Sequence, residues 1–166
     1  TGFDAMTGAM KSIDIRTSDG NSIERSWADG PHTYLGIMVA GFPNLFMVTG
    51  PQSPGVKSQM IFSIEQHVNW ISDCLEHLRG QGLTRIAATE AAQAAWVAHN
   101  NAVADATLYP LANSWYVGAN IPGKPRVFMP YVGGVQAYTQ KIEEVASRGY
   151  EGFTLSAPTQ APRRSA

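Results

Sequence analysis

The chain has 166 residues, 44 % of them apolar, enough to build one ordinary hydrophobic core. Twelve Lys and Arg against thirteen Asp and Glu leave a net charge of -1, without the positive excess that a phosphate backbone requires, so nucleic acid is not an expected partner. The longest nearly continuous apolar stretch, Tyr34 to Phe42, is broken by two glycines and falls far short of the ~20 residues of a membrane-spanning helix.

Cys74 is the only cysteine, which excludes an intrachain disulfide, and His32, His67, His77 and His99 show no metal-ligand spacing. A reducing, cytoplasmic location is the default. The sequence opens on Thr1 rather than Met and carries no signal-peptide pattern, so a piece of a longer protein is expected.

In chain order, the first predicted elements are two short β-like runs, Tyr34 to Ala40 and Asn44 to Thr49. The apolar Leu45-Phe46-Met47-Val48, bounded by Pro43 and Gly50, suits a buried strand. The turn-forming Gly50-Pro51-Gln52-Ser53-Pro54-Gly55 follows. Residues 56–79 contain neither Gly nor Pro, and Met60, Ile61, Ile64, Val68, Ile71, Leu75 and Leu78 recur along one face, which predicts the main helix; Gly80 and Gly82 end it. A second helix is predicted from a Thr89 N-cap, with Glu90 in its first turn, through Trp96 and His99 towards Leu108, where Pro110 follows. Residues 113–134, with four Gly, three Pro and several aromatics, are too irregular for a long helix and too apolar for a free linker. A short helix over Gln136 to Arg148 and a flexible tail over 156–166 complete the chain.

The most informative local pattern is strand, glycine- and proline-rich loop, helix. In a parallel α/β sheet, ligands bind where such a loop hands the chain to a helix whose first N–H groups favour negative charge, so the start of the main helix is a candidate anion site. The alternative is that Ser58 merely caps the helix over a surface turn. No G-x-G-x-x-G, no phosphate-binding loop and no G-x-S-x-G elbow occurs. Cys74 falls within the apolar helix, where a packed thiol is favoured over a nucleophile, and His67 reads as a hydrogen-bonded structural histidine. Trp115 and Tyr116 suit either core packing or a sugar or nicotinamide surface.

At these residues the sequence resembles a known family. Thr1-Gly-Phe-Asp4 resembles the A-T-G-[FY]-D stretch of class B flavoprotein monooxygenases, where the chain returns from an NADPH domain to an FAD domain. Thr33-Tyr-Leu-Gly36, Gly41-Phe-Pro-Asn-Leu-Phe46, Ser63-Ile-Glu-Gln-His-Val68, Trp115-Tyr-x-Gly-Ala-Asn-x-Pro-Gly-Lys-Pro-Arg126 and Tyr150-Glu-Gly-Phe153 resemble, in consistent order, the C-terminal half of type I Baeyer–Villiger monooxygenases. The loop length is closest to that of the phenylacetone and steroid monooxygenases.

The resemblance implies an α/β fold in which residues 1–155 form the C-terminal portion of a discontinuous, Rossmann-like FAD-binding domain. Its activity would be FAD- and NADPH-dependent insertion of one oxygen atom of O2 beside a ketone carbonyl, giving an ester or lactone through a C4a-peroxyflavin. Gly50, Pro51 and Met60 would contact FAD, Trp115 would contact NADP, and Gly55, Val56 and Lys57 would line the substrate pocket. Lys57 stands where the phenylacetone enzyme carries an apolar residue, which leaves the substrate range open. The family's two G-x-G-x-x-G motifs and its catalytic arginine would lie upstream of Thr1. A nitrogen- or sulfur-oxidising flavin monooxygenase, expected to lack the Trp115–Arg126 block, and a non-catalytic binding module are the competing readings. If the chain is a piece, exposed apolar surface is expected on the strand that would pair with the missing part.

Overall fold

The computed structural model describes residues 3–55 and 58–157. Two single-turn helices, α1 (Gly8–Lys11) and α2 (Ile23–Ser26), precede a long irregular stretch. The body is built by α3 (Met60–Gly80), β1 (Arg85–Ala88), α4 (Glu90–Asp105), α5 (Val135–Ser147) and β2 (Phe153–Ser156), with 3-10 turns at Tyr109–Leu111 and Trp115–Val117.

The helices form where the patterns predict them. Thr89 caps α4 by accepting from the Ala92 N–H at 3.2 Å, and α4 buries Trp96, Asn100 and Ala104 at steps of four. It stops at Asp105, one turn short of Leu108, which is exposed. On α3 the buried stripe is Ser63, His67, Trp70, Cys74 and Leu78. Trp70 fixes α3 to α5 by donating its indole N–H to the Ile142 carbonyl at 2.9 Å. These side chains, with Tyr34, Leu35, Trp96, Tyr138 and others, make the main core.

The strand predictions need correction. Tyr34 to Ala40 is not a strand: Leu35 and Gly36 take left-handed conformations (φ 59° and 70°), and Tyr34 exchanges hydrogen bonds with Met38 across a tight turn. Asn44 to Thr49 is not a strand either; its backbone bonds go one by one to separate partners, Met47 N–H to Ile37 O (2.8 Å) and Asn44 N–H to Ile86 O (2.9 Å). Leu35, Ile37 and Met38 are buried all round, and continuous burial erases the alternation by which a strand is told from a packed coil. The strands that do form, β1 and β2, are antiparallel, with Arg85 opposite Ser156 and Ala88 opposite Phe153. No parallel sheet is present among the described residues, so the loop–helix junction is not built on a parallel strand of this chain. β2 runs to Ser156, and residues 158–166 of the expected tail lie outside the described residues.

Exposed apolar surface is present, but on a helix rather than a strand. Ile61, Ile64, Val68 and Leu75 lie along one side of α3, beside its buried stripe, and are 41–64 % exposed. Among the described residues no helix is long and apolar enough to cross a membrane, and no group of three or more His, Cys, Asp or Glu is placed to hold a metal ion.

Candidate functional site

The loop at Gly50 is held by close backbone approach. A Cβ on Gly50 would stand 2.6 Å from the Gly36 carbonyl oxygen, and one on Gly36 would stand 2.5 Å from Ser53 Cβ. Gly50 N–H donates to Gly36 O at 3.2 Å, and the Ser53 N–H and hydroxyl both return to Gly50 O, at 3.2 and 2.7 Å. Gly50 is therefore a glycine because there is no room for a side chain.

Gln52 replaces the strand ladder that this region lacks. It is fully buried, with φ 67°. Its Oε1 accepts from the Thr33 N–H (2.9 Å) and stands 2.9 Å from the Thr33 hydroxyl, which also reaches Pro51 O at 2.8 Å. Its amide Nε2–H donates to Pro31 O at 3.2 Å, and its backbone carbonyl accepts the Trp96 indole N–H at 3.1 Å. Buried backbone polar groups must be paired, and here one side chain pairs the irregular backbone of two residues, Pro31 and Thr33.

Thr49, just before Gly50, is a β-branched residue at φ 53°, a conformation that costs about 1–3 kcal/mol unless held. It is held by His67: the Thr49 N–H donates to Nδ1 at 3.0 Å. The other ring nitrogen, Nε2, lies 2.6 Å from the Tyr138 hydroxyl, which itself donates to Leu35 O at 2.5 Å. Burial pushes the His67 pKa down to about 4. His67 is thus the hydrogen-bonded structural histidine that the sequence favours. Cys74 is buried as well, and burial pushes its thiol up to about 11, far from thiolate reactivity.

At the start of α3, Gln59 occupies the N-cap position without a side-chain cap. Ser58 does not cap the helix. Its hydroxyl donates to Gly55 O at 2.7 Å and lies 3.1 Å from Ser63 Oγ, so it ties the loop to the helix flank. The backbone N–H groups of Met60, Ile61 and Phe62 have no acceptor among the described residues. Val56 and Lys57, two of the three residues of the predicted substrate bulge, lie outside the described residues. The third, Gly55, abuts Pro130: a Cβ there would stand 2.8 Å from Pro130 Cβ.

Trp115 opens a 3-10 turn in the aromatic segment, where Ser114 accepts from the Tyr116 N–H at 3.0 Å and Gly118 closes the turn at φ 74°. The four tryptophans divide cleanly. Trp27, Trp70 and Trp96 are at most 6 % exposed, and each indole N–H donates to a backbone carbonyl. Trp115 is 37 % exposed, rests edge-on against Tyr116, and its N–H finds no acceptor among the described residues.

A strip of backbone at residues 129–131 joins the two regions. Gln52 N–H donates to Met129 O (2.5 Å), Tyr131 N–H donates to Ser53 O (2.8 Å), and Met129 N–H donates to Tyr116 O (2.9 Å). Backbone hydrogen bonds thus connect the Gly50–Ser53 loop to Tyr116, the neighbour of Trp115, while Gly55 meets the same strip only by packing against Pro130. The pairing roles of Gln52, Thr33 and Met129 were missed: Thr33 and Gln52 lie in stretches that the sequence singles out, but nothing local says that they bond each other, and Met129 belongs to no quoted motif.

No protein-family model matches the chain. Individual proteins do. It is 46 % identical over 157 residues to acetone monooxygenase (methyl acetate-forming) of Gordonia sp. strain TY-5, a match covering 94 % of this chain and 30 % of that protein. It is 39 % identical over 155 residues to phenazine N-monooxygenase of Lysobacter antibioticus, covering 93 % of this chain and 28 % of the relative. Among solved structures, oxidised steroid monooxygenase bound to NADP superposes with a TM-score of 0.86 at 44 % identity, over 94 % of this chain and 29 % of that one. The chain belongs to the Baeyer–Villiger monooxygenase family. The monooxygenase OTEMO in complex with FAD and NADP matches at TM-score 0.83 and 33 % identity, over 93 % of this chain and 28 % of that one. The mixed architecture of helices and short strands is that of these Baeyer–Villiger structures. The chain spans about 30 % of the length of the relatives that it matches.

Proposed function

We propose that this chain is the C-terminal portion, residues 1–155, of the discontinuous FAD-binding domain of an FAD- and NADPH-dependent monooxygenase. The enzyme inserts one oxygen atom of O2 beside a ketone carbonyl to give an ester or lactone. Its partners in that work are the ketone, O2 and the remainder of the parent polypeptide. A cytoplasmic setting goes with this reading, in keeping with a lone, buried thiol.

The observation that carries the reading is the uncapped start of α3. The N–H groups of Met60, Ile61 and Phe62 stay free of acceptors among the described residues beside the tightly packed Gly50–Gly55 loop, an arrangement that fits an anionic group. FAD supplies the electron transfer and oxygen activation. The Met60 amide, with its helix behind it, would stabilise the edge of the flavin that becomes anionic on reduction, by ~0.3–2 kcal/mol. Gly50 and Pro51 hold the backbone that lets the cofactor approach. Trp115 would give its unspent indole N–H to NADP and exclude water beside it, and Gly55, Val56 and Lys57 would line the ketone pocket. The relatives support this reading: one is named for forming methyl acetate, and solved neighbours hold NADP or both FAD and NADP.

A second reading, oxygenation of a ring nitrogen, is favoured by the phenazine N-monooxygenase relative. That match covers 93 % of the chain, so the extent of the resemblance does not separate the two chemistries. The deciding experiment supplies the full-length protein with NADPH, 18O2 and either a simple ketone or a phenazine. Labelled ester from the ketone supports the first reading. N-oxide with no ester overturns it in favour of the second, and NADPH-independent inertness towards both overturns both.

A further inference from the structure

The described residues contain one well-shielded ion pair that joins distant parts of the chain. Lys124 Nζ stands 2.5 Å from Asp4 Oδ1 and 3.0 Å from Thr7 Oγ1, and the lysine side chain is 6 % exposed. The other ion pairs among these residues join side chains at least 38 % exposed and no more than four positions apart. A lysine this deeply placed needs its charge met, and the segment 4–7 meets it with the Asp4 carboxylate and the Thr7 hydroxyl. The Thr7 N–H and hydroxyl donate to the two Asp4 carboxylate oxygens at 3.1 and 2.6 Å, so Thr7 accepts from Lys124 with one lone pair and orients the carboxylate with its proton. Burial alone would raise the Asp4 carboxyl, but the hydrogen bonds from Lys124 and Thr7 outweigh it and hold the group below its ordinary value.

The stem of this lysine bears directly on the Trp115 turn. A Cβ on Gly118 would stand 3.1 and 3.3 Å from Lys124 Cδ and Cγ, and Gly118 N–H closes the turn onto Trp115 O at 3.0 Å. Asn120 adds a second tie, its Nδ2–H donating to Phe3 O at 2.9 Å. The segment that carries Trp115 is therefore anchored on one side to Met129 and, on the other, to residues 3–7.

We propose that the Asp4–Lys124 ion pair is the clasp that fixes where the Trp115 indole stands, which makes Lys124 a positioning residue for binding of the nicotinamide nucleotide. The proposal rests on the reading of Trp115 as the NADP contact. Lys124 touches no reacting atom; it acts through the Gly118 turn.

The test uses the full-length protein with Lys124→Met, which keeps an apolar stem and removes the charge, and Lys124→Arg, which keeps the charge. Two quantities are read: the dissociation constant of NADP+ on the oxidised protein, and the 19F resonance of 5-fluorotryptophan at position 115, assigned by its absence in Trp115→Phe. Lys124→Met is expected to weaken NADP+ about tenfold, as a small misplacement of a contact group does, and to move the 115 resonance while FAD content stays unchanged. Lys124→Arg is expected to restore both. Unaltered NADP+ affinity with an unmoved resonance in Lys124→Met overturns the proposal, as does a defect in Lys124→Arg as large as that in Lys124→Met. Should Lys124→Met not fold, Asp4→Asn breaks the same charge pair, and unaltered affinity there overturns the proposal equally. Failure of the unsubstituted protein to bind NADP+ would instead defeat the underlying reading of Trp115, and the 115 resonance alone would then show whether the clasp sets the indole.

Discussion

Because the Thr49 N–H points at His67 Nδ1 and Tyr138 gives its own hydrogen to Leu35, the single proton of His67 sits on Nε2, where the Tyr138 oxygen accepts it. A second proton at Nδ1 would face the Thr49 N–H, donor against donor, and would charge a ring with no exposed surface. The folded pKa of about 4 lies below the ordinary 6.5, so the sign is fixed. The stabilisation is complete above pH 6.5 and is lost as the pH falls towards 4, because the unfolded chain takes up a proton that the folded chain refuses; integrated, this amounts to roughly 3 kcal/mol. Urea midpoints measured from pH 7 to pH 4.5 should fall steeply in the unsubstituted protein. In His67→Gln, which keeps a donor and an acceptor but does not titrate, that slope should be largely gone, and an equal slope in both would refute the assignment. Of the residues in this neighbourhood, the structural role of His67 and the inert burial of Cys74 were legible from residue type, but the buried face was not: the apolar spacing marks Ile61, Ile64, Val68 and Leu75, whereas the buried stripe is Ser63, His67, Trp70, Cys74 and Leu78. Gln52 and Lys124 were not, because their partners lie at Thr33, Trp96 and Asp4, and no local pattern encodes a partner so far along the chain.

At the scale of elements, α3 gives up a stabilising feature where function would use it. Ser, Thr, Asp or Asn at an N-cap is worth about 1 kcal/mol to a helix, yet Gln59 occupies that position and makes no cap, and Ser58 turns its hydroxyl back to Gly55. Gln59→Asp should therefore raise the thermal midpoint, since its carboxylate would accept from first-turn N–H groups that have no acceptor among the described residues. In the flavin-loaded parent the same carboxylate would compete for the amides that the anionic flavin edge needs, so the flavin midpoint potential should fall and reduction by NADPH should slow. Stabilisation without any change of potential would place the flavin away from this helix end. The helices themselves were readable from spacing and capping, as at Thr89, because a helix closes its own hydrogen bonds within a few residues. The strands were not: Arg85–Ala88 and Phe153–Ser156 are four residues each, too short for their spacing to mark them, and each exists because the other satisfies it from far along the chain, Arg85 opposite Ser156 and Ala88 opposite Phe153.

For the molecule as a whole, the apolar side of α3 is the feature that the chain's own packing leaves open. Ile61, Ile64, Val68 and Leu75 are exposed beside a helix stripe that is otherwise completely buried, a contiguous patch of the kind that water tolerates poorly. If the rest of the parent polypeptide covers it, the isolated 166-residue chain should self-associate or bind a hydrophobic dye, and Val68→Lys with Leu75→Lys should suppress both. In the full-length protein the same pair of substitutions should lower the thermal midpoint instead. Sedimentation and thermal unfolding check the two arms, and a strictly monomeric, dye-silent chain would argue for a free-standing module. By itself the sequence determined what is local or additive: the net charge, the absence of a disulfide framework, the positions of α3, α4 and α5, and a run of family motifs long enough to be recognised. Only the tertiary structure decided that two apolar runs coil rather than extend, that Gln52 and His67 hold the Gly50 loop, and that Trp115 alone among four tryptophans keeps its indole N–H unspent among the described residues. The reason is physical: helix formation is settled within a few residues, whereas burial on every side and pairing across a hundred residues depend on what the rest of the chain brings alongside.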